Sequence, residues 1–302
     1  MRIAICIPCL NEAATIGAVI DSFRRALPEA EICVCDNNSR DGSAEKARQA
    51  GATVFVNLKP GKGSTVREML SRIDADIYIL VDGDGTYRAE EVHLLLQPVA
   101  EGRADMFIGN RLRNYQSGSF PRLHIAGNKL IRFLTYKLHG VDIPDMLSGY
   151  RVMNRSLVDE LCLISGGFEI ETEINIKSVW HGFRIGSANI SYHPRPSGSC
   201  SKLKTFQDGY RILATILMLL KEYQPMTMGG LAFFSLQCFA LLFLILGAGR
   251  RSLFAFGLGL LFSLSGTLAL SVGLILNALN ISHREVEESL RKISHRRPPQ
   301  KS

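Results

Sequence analysis

Short apolar runs recur through residues 1–200, each followed by a polar turn and then by apolar residues at helical spacing. Arg2–Pro8 (RIAICIP), Glu31–Cys35 (EICVC), Thr53–Val56, Ile77–Val81 and Asp105–Gly109 read as strands. Between the first two, Ile16, Val19, Ile20 and Phe23 form a helical stripe, in a helix opened by Asn11-Glu12 and closed before Pro28. Further helices are expected at about residues 44–50, ending at Gly51, after Lys59-Pro60-Gly61-Lys62-Gly63, and at about residues 90–101. This alternation predicts an α/β fold: a mostly parallel sheet with helices on both faces and polar ligands gathered at the carboxyl ends of the strands. Beyond Arg111 the pattern loosens. A Gly/Ser/Arg loop (Arg111–Pro121) precedes a basic helix with Arg122, His124, Lys129, Arg132 and Lys137. A strand within Met146–Met153, a helix over Phe168–His181, a strand at Arg184–Tyr192 and a second basic loop, His193–Leu203, complete residues 1–203.

The last hundred residues follow a different rule. Thr205–Tyr223 sets Phe206, Tyr210, Leu213, Ile216, Leu217 and Leu220 on one helix side, which suits an interfacial helix over residues 204–226. Gly229–Ala248 and Leu253–Asn277 carry no charge, and each is long enough to cross a bilayer core of about 30 Å. The connector Gly249-Arg250-Arg251-Ser252 permits only a hairpin, so residues 227–280 are expected to span a membrane twice and residues 281–302 to form a tail. That tail holds six Lys/Arg against three Glu, which favours a cytoplasmic side, whereas Arg250 and Arg251 pull the other way. The lack of an N-terminal signal pattern outweighs those two arginines, and a cytoplasmic first domain is expected.

Composition changes the picture in two places. The net charge of +7 admits nucleic acid, a membrane surface or phosphate-bearing substrates. No nucleic-acid module or aromatic-interleaved basic run is present, so the membrane and phosphate readings remain. Seven cysteines are present, and Cys6, Cys9, Cys33 and Cys35 could be drawn as a zinc site; Cys6 and Cys33 lie inside apolar strands, where cysteine behaves as a small hydrophobe.

Candidate chemistry centres on Asp82-Gly83-Asp84, where the strand Ile77–Val81 ends. Two carboxylates there suit a hard divalent cation carrying phosphates, and they equally suit a polar turn. Lys59–Gly63 could be a phosphate loop, or a surface turn with Lys62 near a nucleotide.

Taken together the motifs carry a resemblance. Ile7-Pro8-Cys9-Leu10-Asn11-Glu12 resembles the first-strand motif of the family 2 glycosyltransferases, and Val34-Cys35-Asp36-Asn37-Asn38-Ser39-Arg40-Asp41-Gly42 their second. Asp82-Gly83-Asp84 matches their Asp-x-Asp. Asp145-Met146-Leu147-Ser148-Gly149-Tyr150-Arg151, and Ser201-Lys202-Leu203 after Arg195 and Gly198, resemble segments of the dolichyl- and polyprenyl-phosphate sugar transferases. Asn37 stands where that family usually has a second aspartate, Cys9-Leu10 replaces a Thr-Tyr pair, and Gly198 lies one residue early.

The resemblance implies a GT-A fold and an inverting, metal-dependent transfer from a UDP- or GDP-linked sugar to a polyprenyl or dolichyl phosphate. It implies that Asp36 accepts from the base, that Pro8, Leu10 and Glu12 line base and ribose, and that Cys35, Lys62, Gly83 and Arg111 belong to the nucleotide set. Asp82 would face ribose or metal, and Asp84 the Mg2+ or Mn2+ that bridges the diphosphate. Asp84, Asp145, Arg195 and Lys202 are the expected catalytic group. A phosphate acceptor, with a second pKa of about 6, is already largely ionised, so cations such as Arg111, Arg195 and Lys202 matter more than a base. A hydroxyl acceptor would need a carboxylate base, for which Glu169, Glu171 and Glu173 are candidates. A glycolipid-extending transferase and a non-catalytic nucleotide-binding membrane protein are the alternatives, and a homo-oligomer stays open.

Overall fold

The computed structural model describes residues 1–115, 122–196, 202 and 205–296. Seven strands form one sheet in the order β3-β2-β1-β4-β6-β5-β7. They are β1 Ile3–Cys9, β2 Glu31–Asp36, β3 Thr53–Val56, β4 Ile77–Leu80, β5 Met106–Tyr115, β6 Arg151–Asn154 and β7 Ile185–Tyr192. β1, β2, β3 and β4 pair in parallel, as do β5 and β7; β6 runs antiparallel between β4 and β5. Its first residue, Arg151, pairs with Leu80, the last residue of β4. The segment before β6 therefore lies beside Asp82-Gly83-Asp84 at the carboxyl end of the sheet.

The helices are α1 Ile16–Ala26, α2 Ser43–Gln49, α3 Lys62–Arg72, α4 Val92–Ala100, α5 Arg122–His139, α6 Arg155–Glu160, α7 Ile170–Trp180, α8 Thr205–Tyr223, α9 Pro225–Arg250 and α10 Leu253–Arg296. α1 starts at Ile16 and not at Asn11-Glu12 as the sequence suggested. Asn11 adopts a left-handed φ of 48°, and the Glu12 carbonyl accepts from the N–H groups of Thr15 (3.0 Å) and Ile16 (2.9 Å), so this stretch is a turn before the helix. The apolar stripe of α1 (Ile16, Val19, Ile20, Phe23) is buried in one cluster with Ile5 and Ile7 of β1 and Tyr150. Each such side chain is stabilising by about 1.5–3 kcal/mol through burial. A ladder of rings continues from it: Phe23 to Tyr150 (5.9 Å), Tyr150 to Tyr87 (5.3 Å) and Tyr87 to Tyr192 (5.3 Å).

β5 reaches Tyr115, so Arg111 and Arg113 belong to a strand paired with β7 and not to a loop. The remainder of the expected loop, residues 116–121, lies outside the described residues, as do Gly198, Ser201 and Leu203; of the side chains of Arg122 and His124 nothing is described.

The chain divides into two compact units, Met1–Ile216 and Leu217–Ser302, with the division inside α8. The α8 stripe is split in function: Phe206, Tyr210 and Leu217 are exposed, while Ile216 and Leu220 are buried. In the second unit α9 and α10 pack as a hairpin. Its turn places Arg251 at φ 48°, and the Ser252 N–H donates to the Gly247 carbonyl (2.9 Å). Their backbones approach too closely for side chains at several points. A Cβ on Gly247 would lie 2.6 Å from Phe256 N, and one on Gly229 would lie 3.0 Å from both Ala269 O and Gly273 Cα. Such glycine contacts suit helix pairing in lipid, where burial of apolar surface no longer drives association. Apolar stretches of 25 and 30 residues (Pro225–Gly249 and Leu253–Ser282) are long enough to span, and only 11% and 17% of their most apolar windows are buried, unlike core helices of a soluble protein. α10 continues without a break to Arg296, so the expected tail is helical to that point.

Candidate active site

Parallel pairing brings the carboxyl ends of β1, β2 and β4 side by side, and each ends in a carboxylate-bearing turn. At β2, Asp36 Oδ2 accepts from the Ser39 N–H (2.9 Å), while Oδ1 is buried without a hydrogen-bond partner among the described residues. After β1, Glu12 Oε1 is 2.9 Å from Lys202 Nζ, and Oε2 is likewise buried and unpartnered. Burial, with a smaller push from the charges of Asp84 and Asp82, raises the Glu12 carboxyl to about 7 against the pull of Lys202. A buried polar atom without a partner is costly, so these two oxygens mark places suited to donors from a ligand. Pro8 is buried opposite Cys35 in register, and Leu10 is half-buried beside them. The Cys35 side chain is buried and feels Glu68 and Arg72 of α3; burial pushes its thiol to about 12, so it is not grouped with the carboxylates. Cys6, Cys9 and Cys33 are buried free thiols in the same two strands.

Asp82-Gly83-Asp84 follows β4. Gly83 is required by a close approach, since a Cβ there would lie 2.5 Å from Glu12 Oε2. The Gly83 carbonyl accepts from Thr15 Oγ1 (2.7 Å), tying the turn to the start of α1. Asp84 Oδ1 accepts from Thr86 N–H (3.1 Å) and Oγ1 (2.6 Å), and its Oδ2 is 2.7 Å from Arg195 Nη2. Asp82 Oδ1 is 2.6 Å from Lys62 Nζ, which is also 2.7 Å from Glu171 Oε1. Burial pushes the Lys62 ammonium down, but the two carboxylates outweigh it and hold it above its usual value. Asp82 is held below the usual carboxylate range, because Lys62 outweighs the opposing effect of burial. Lys62 is thus not on a surface turn; it is a half-buried link between β4 and α7.

Arg111 and Asp145 face each other. Asp145 Oδ2 accepts from Arg111 Nε (2.7 Å) and its backbone N–H (3.1 Å); Oδ1 accepts from Arg111 Nη2 (2.9 Å) and Asn128 Nδ2 (2.7 Å). Burial would raise the Asp145 carboxyl, but Arg111 holds it below the usual range. Arg111 also lies over the Tyr192 ring (5.3 Å) and donates to Tyr87 Oη (3.4 Å), which in turn accepts from the Gly149 N–H (3.0 Å). Arg151, at the end of the Asp145–Arg151 motif, is fully buried and donates to the Ser148 carbonyl (2.6 Å) and Asn175 Oδ1 (3.2 Å).

The three glutamates before and within α7 separate. Glu173 accepts from Ile164 and Ser165 N–H groups (2.9 and 2.8 Å) and pairs with Lys177 (2.9 Å). Glu171 pairs with Lys62. Glu169 precedes the helix; its Oε1 accepts from Gly167 N–H (2.9 Å), while Oε2 is buried and unpartnered among the described residues.

The structure therefore gathers Glu12, Asp36, Asp82, Gly83, Asp84, Arg195 and Lys202 at one strand edge, and sets Arg111 with Asp145 beside Tyr87. Sequence reasoning missed Thr15, Thr86, Tyr87 and Asn128, and it gave Gly149 of the Asp145–Arg151 motif no role; a Cβ there would collide with Asp82 Oδ2. Asn37 is explained as well. Its Nδ2 donates to the carbonyls of Asn57 (2.9 Å) and Lys59 (2.7 Å), which an aspartate could not do.

The donor set fits a divalent cation. Asp84 offers a hard oxygen already turned to a cationic group, with Asp82 two residues away. No cluster of three or more metal-ligating side chains occurs among the described residues, so oxygens from a bound diphosphate would have to complete the coordination.

Comparison with known proteins gives a family and a shared fold. The family model described as glycosyl transferase family 2 matches residues 4–162. Glycosyltransferase AglJ of Haloferax volcanii is 38% identical over 226 residues, covering 74% of each chain. A dolichyl-phosphate hexose transferase of the same organism is 27% identical over 220 residues, covering 73% of this chain and 94% of that one. Among solved structures, glucosyl-3-phosphoglycerate synthase from Mycobacterium tuberculosis, in complex with Mn2+, UDP and glucosyl-3-phosphoglycerate, superposes with a TM-score of 0.60. That match has 23% identity and covers 72% of this chain and 79% of the other, and it shows the shared fold.

Proposed function

The chain belongs to glycosyl transferase family 2, and from that premise we propose that it moves a sugar from a nucleotide-sugar donor to a polyprenyl or dolichyl phosphate at a membrane surface, with its first unit on the cytoplasmic side. The observation that carries the acceptor class is the state of the neighbouring carboxylates. Asp145, Glu171 and Glu173 are each held by a cation, so none of them is poised to take a proton. A phosphate acceptor needs no base, whereas a hydroxyl does. The likeness to a dolichyl-phosphate hexose transferase points the same way.

On the donor side, Asp36 Oδ1 receives an N–H of the base, and Glu12 and Asp82 receive hydroxyls, each a charge-assisted bond. Mg2+ or Mn2+ held on Asp84, with Asp82 beside it, would supply positive charge for the departing nucleoside diphosphate. Arg195 and Lys202 bring further positive charge to the same edge, and Arg111, fixed by Asp145, orients the acceptor phosphate. An acceptor phosphate oxygen bonds to the anomeric carbon as that carbon's bond to the diphosphate oxygen breaks, and the configuration inverts.

A hydroxyl acceptor is the second reading, and the unpartnered Oε2 of Glu169 favours it. Membranes containing the full chain, incubated with labelled UDP- and GDP-sugars and polyprenyl phosphate, are expected to yield a lipid-phosphate sugar that EDTA abolishes. Product only with glycolipid hydroxyl acceptors, lost in Glu169→Gln, would establish the second reading instead.

A further inference from the structure

The Lys62 link is built by several independent devices. Asn37 clamps residues 57–61: besides its two donated bonds, its Oδ1 accepts from the Gly61 N–H (2.8 Å). Gly61 has φ +113° and packs so closely on Gly166 that a Cβ would strike the Gly166 carbonyl. A Cβ on Gly63 would lie 2.5 Å from the Ser165 carbonyl. Two glycines thus let the start of α3 lie directly on the segment before α7 and carry Lys62 between Asp82 and Glu171. There its ammonium lies 5.7 Å from the centre of the Phe168 ring. The two carboxylates it joins differ in access: the Asp82 side chain keeps 23% of its surface exposed and Glu171 only 3%. Asp82 is open to a ligand at the end of β4, and Glu171 is not.

We propose that Glu171 and Lys62 act as positioning residues for the donor site. Glu171 fixes the Lys62 ammonium, which occupies Oδ1 of Asp82 and leaves Oδ2 to accept from a hydroxyl of a nucleoside diphosphate. Glu171 thereby acts on donor binding without touching the donor. The inference deepens the donor reading given above and rests on it. Without the Glu171 charge, Lys62 has one carboxylate left and draws on both Asp82 oxygens.

The test is titration of UDP and of GDP into the purified full-length protein, with thermal unfolding of each variant as a check of folding. Glu171→Gln is expected to unfold near the wild-type temperature and to bind the preferred nucleotide about five- to tenfold more weakly, in line with the coupling of contacting charged groups. In turnover the donor KM rises while the acceptor KM stays. Lys62→Met is expected to lose about a hundredfold, and the double variant no more than Lys62→Met alone, because the two act as one unit. Should Glu171→Gln fail to fold, Glu171→Asp, which keeps the charge on a shorter arm, is expected to show the same donor-specific loss. A folded Glu171→Gln that binds as wild type does, or additive losses in the double variant, would overturn the assignment alone. A wild type that binds neither nucleotide would remove the donor reading and this assignment with it.

Discussion

Two sets of buried carboxylates sit within one catalytic unit and differ in how their lone pairs are used. Asp145 and Glu173 are saturated: every oxygen accepts from a guanidinium, an ammonium or backbone N–H groups. Among the described residues, Asp36 and Glu12 each keep a buried oxygen without a partner. A saturated buried carboxylate stabilises the fold and fixes its partner, whereas an unsatisfied one costs stability and is tolerated where a ligand completes it. Asp84 is intermediate, with one oxygen fixed by Thr86 and the other paired with the partly exposed side chain of Arg195. By this contrast the edge carrying Asp36 and Glu12 leaves buried lone pairs that a ligand could fill, whereas the Asp145 carboxylate beside it is already filled by Arg111 and Asn128.

The comparison can be broken by substitution. Asp145→Ala leaves Arg111 buried and uncompensated, so a loss of about 3–5 kcal/mol in stability is expected, read by denaturant unfolding of the full chain. Asp84→Asn should unfold much as wild type does while turnover falls about a thousandfold, as weakening the hold on a cation that would neutralise the leaving group does. Equal damage to stability from both would erase the distinction. Asp36→Asn keeps the Ser39 contact but exchanges a charged acceptor for a neutral one at the base; nucleotide affinity should fall about tenfold with stability unchanged or slightly higher.

The smallest effect concerns a group remote from the site. Trp180 Nε1–H donates to His139 Nδ1 (3.4 Å), so the Nε2–H donates to the Ile216 carbonyl (3.0 Å) and the ring is neutral. Burial lowers the His139 pKa from its ordinary 6.5, opposed by the bond to Ile216. The unfolded chain therefore binds this proton more readily, and stability is lost as pH falls below 6.5 toward the folded value. Melting temperatures measured from pH 7.5 downward should fall by a few degrees, and His139→Gln should reduce that fall.

Much of the fold was legible in the chain. The seven strands follow from apolar runs bounded by turns, and the two long uncharged stretches became the packed helices of the second unit. The direction of β6 was not legible, because a four-residue run carries no sign of which way it pairs. The start of α1 was misread because Asn11 and Glu12 belong to a turn set by a left-handed φ, a feature that helical spacing does not encode. Asp36, Asp82 and Asp84 were singled out through motif order and the structure brings them to one end of the sheet, whereas Tyr87 and Asn128 carry no local signature: each touches a residue distant in sequence.

The sequence by itself determined the family, the strand-and-helix alternation, the acidic turn after β4 and the presence of two stretches apolar enough to cross a membrane. Those features are written in local pattern, where each residue type reports its own preference for burial, turn or charge. The partners of the charges were decided only by tertiary structure. Lys62 passed from a possible surface turn to a link between Asp82 and Glu171, and Arg151 proved fully buried on the carbonyl of Ser148. A charge can be read from the chain, but its partner is set by which distant segments the sheet brings within about 3 Å of it.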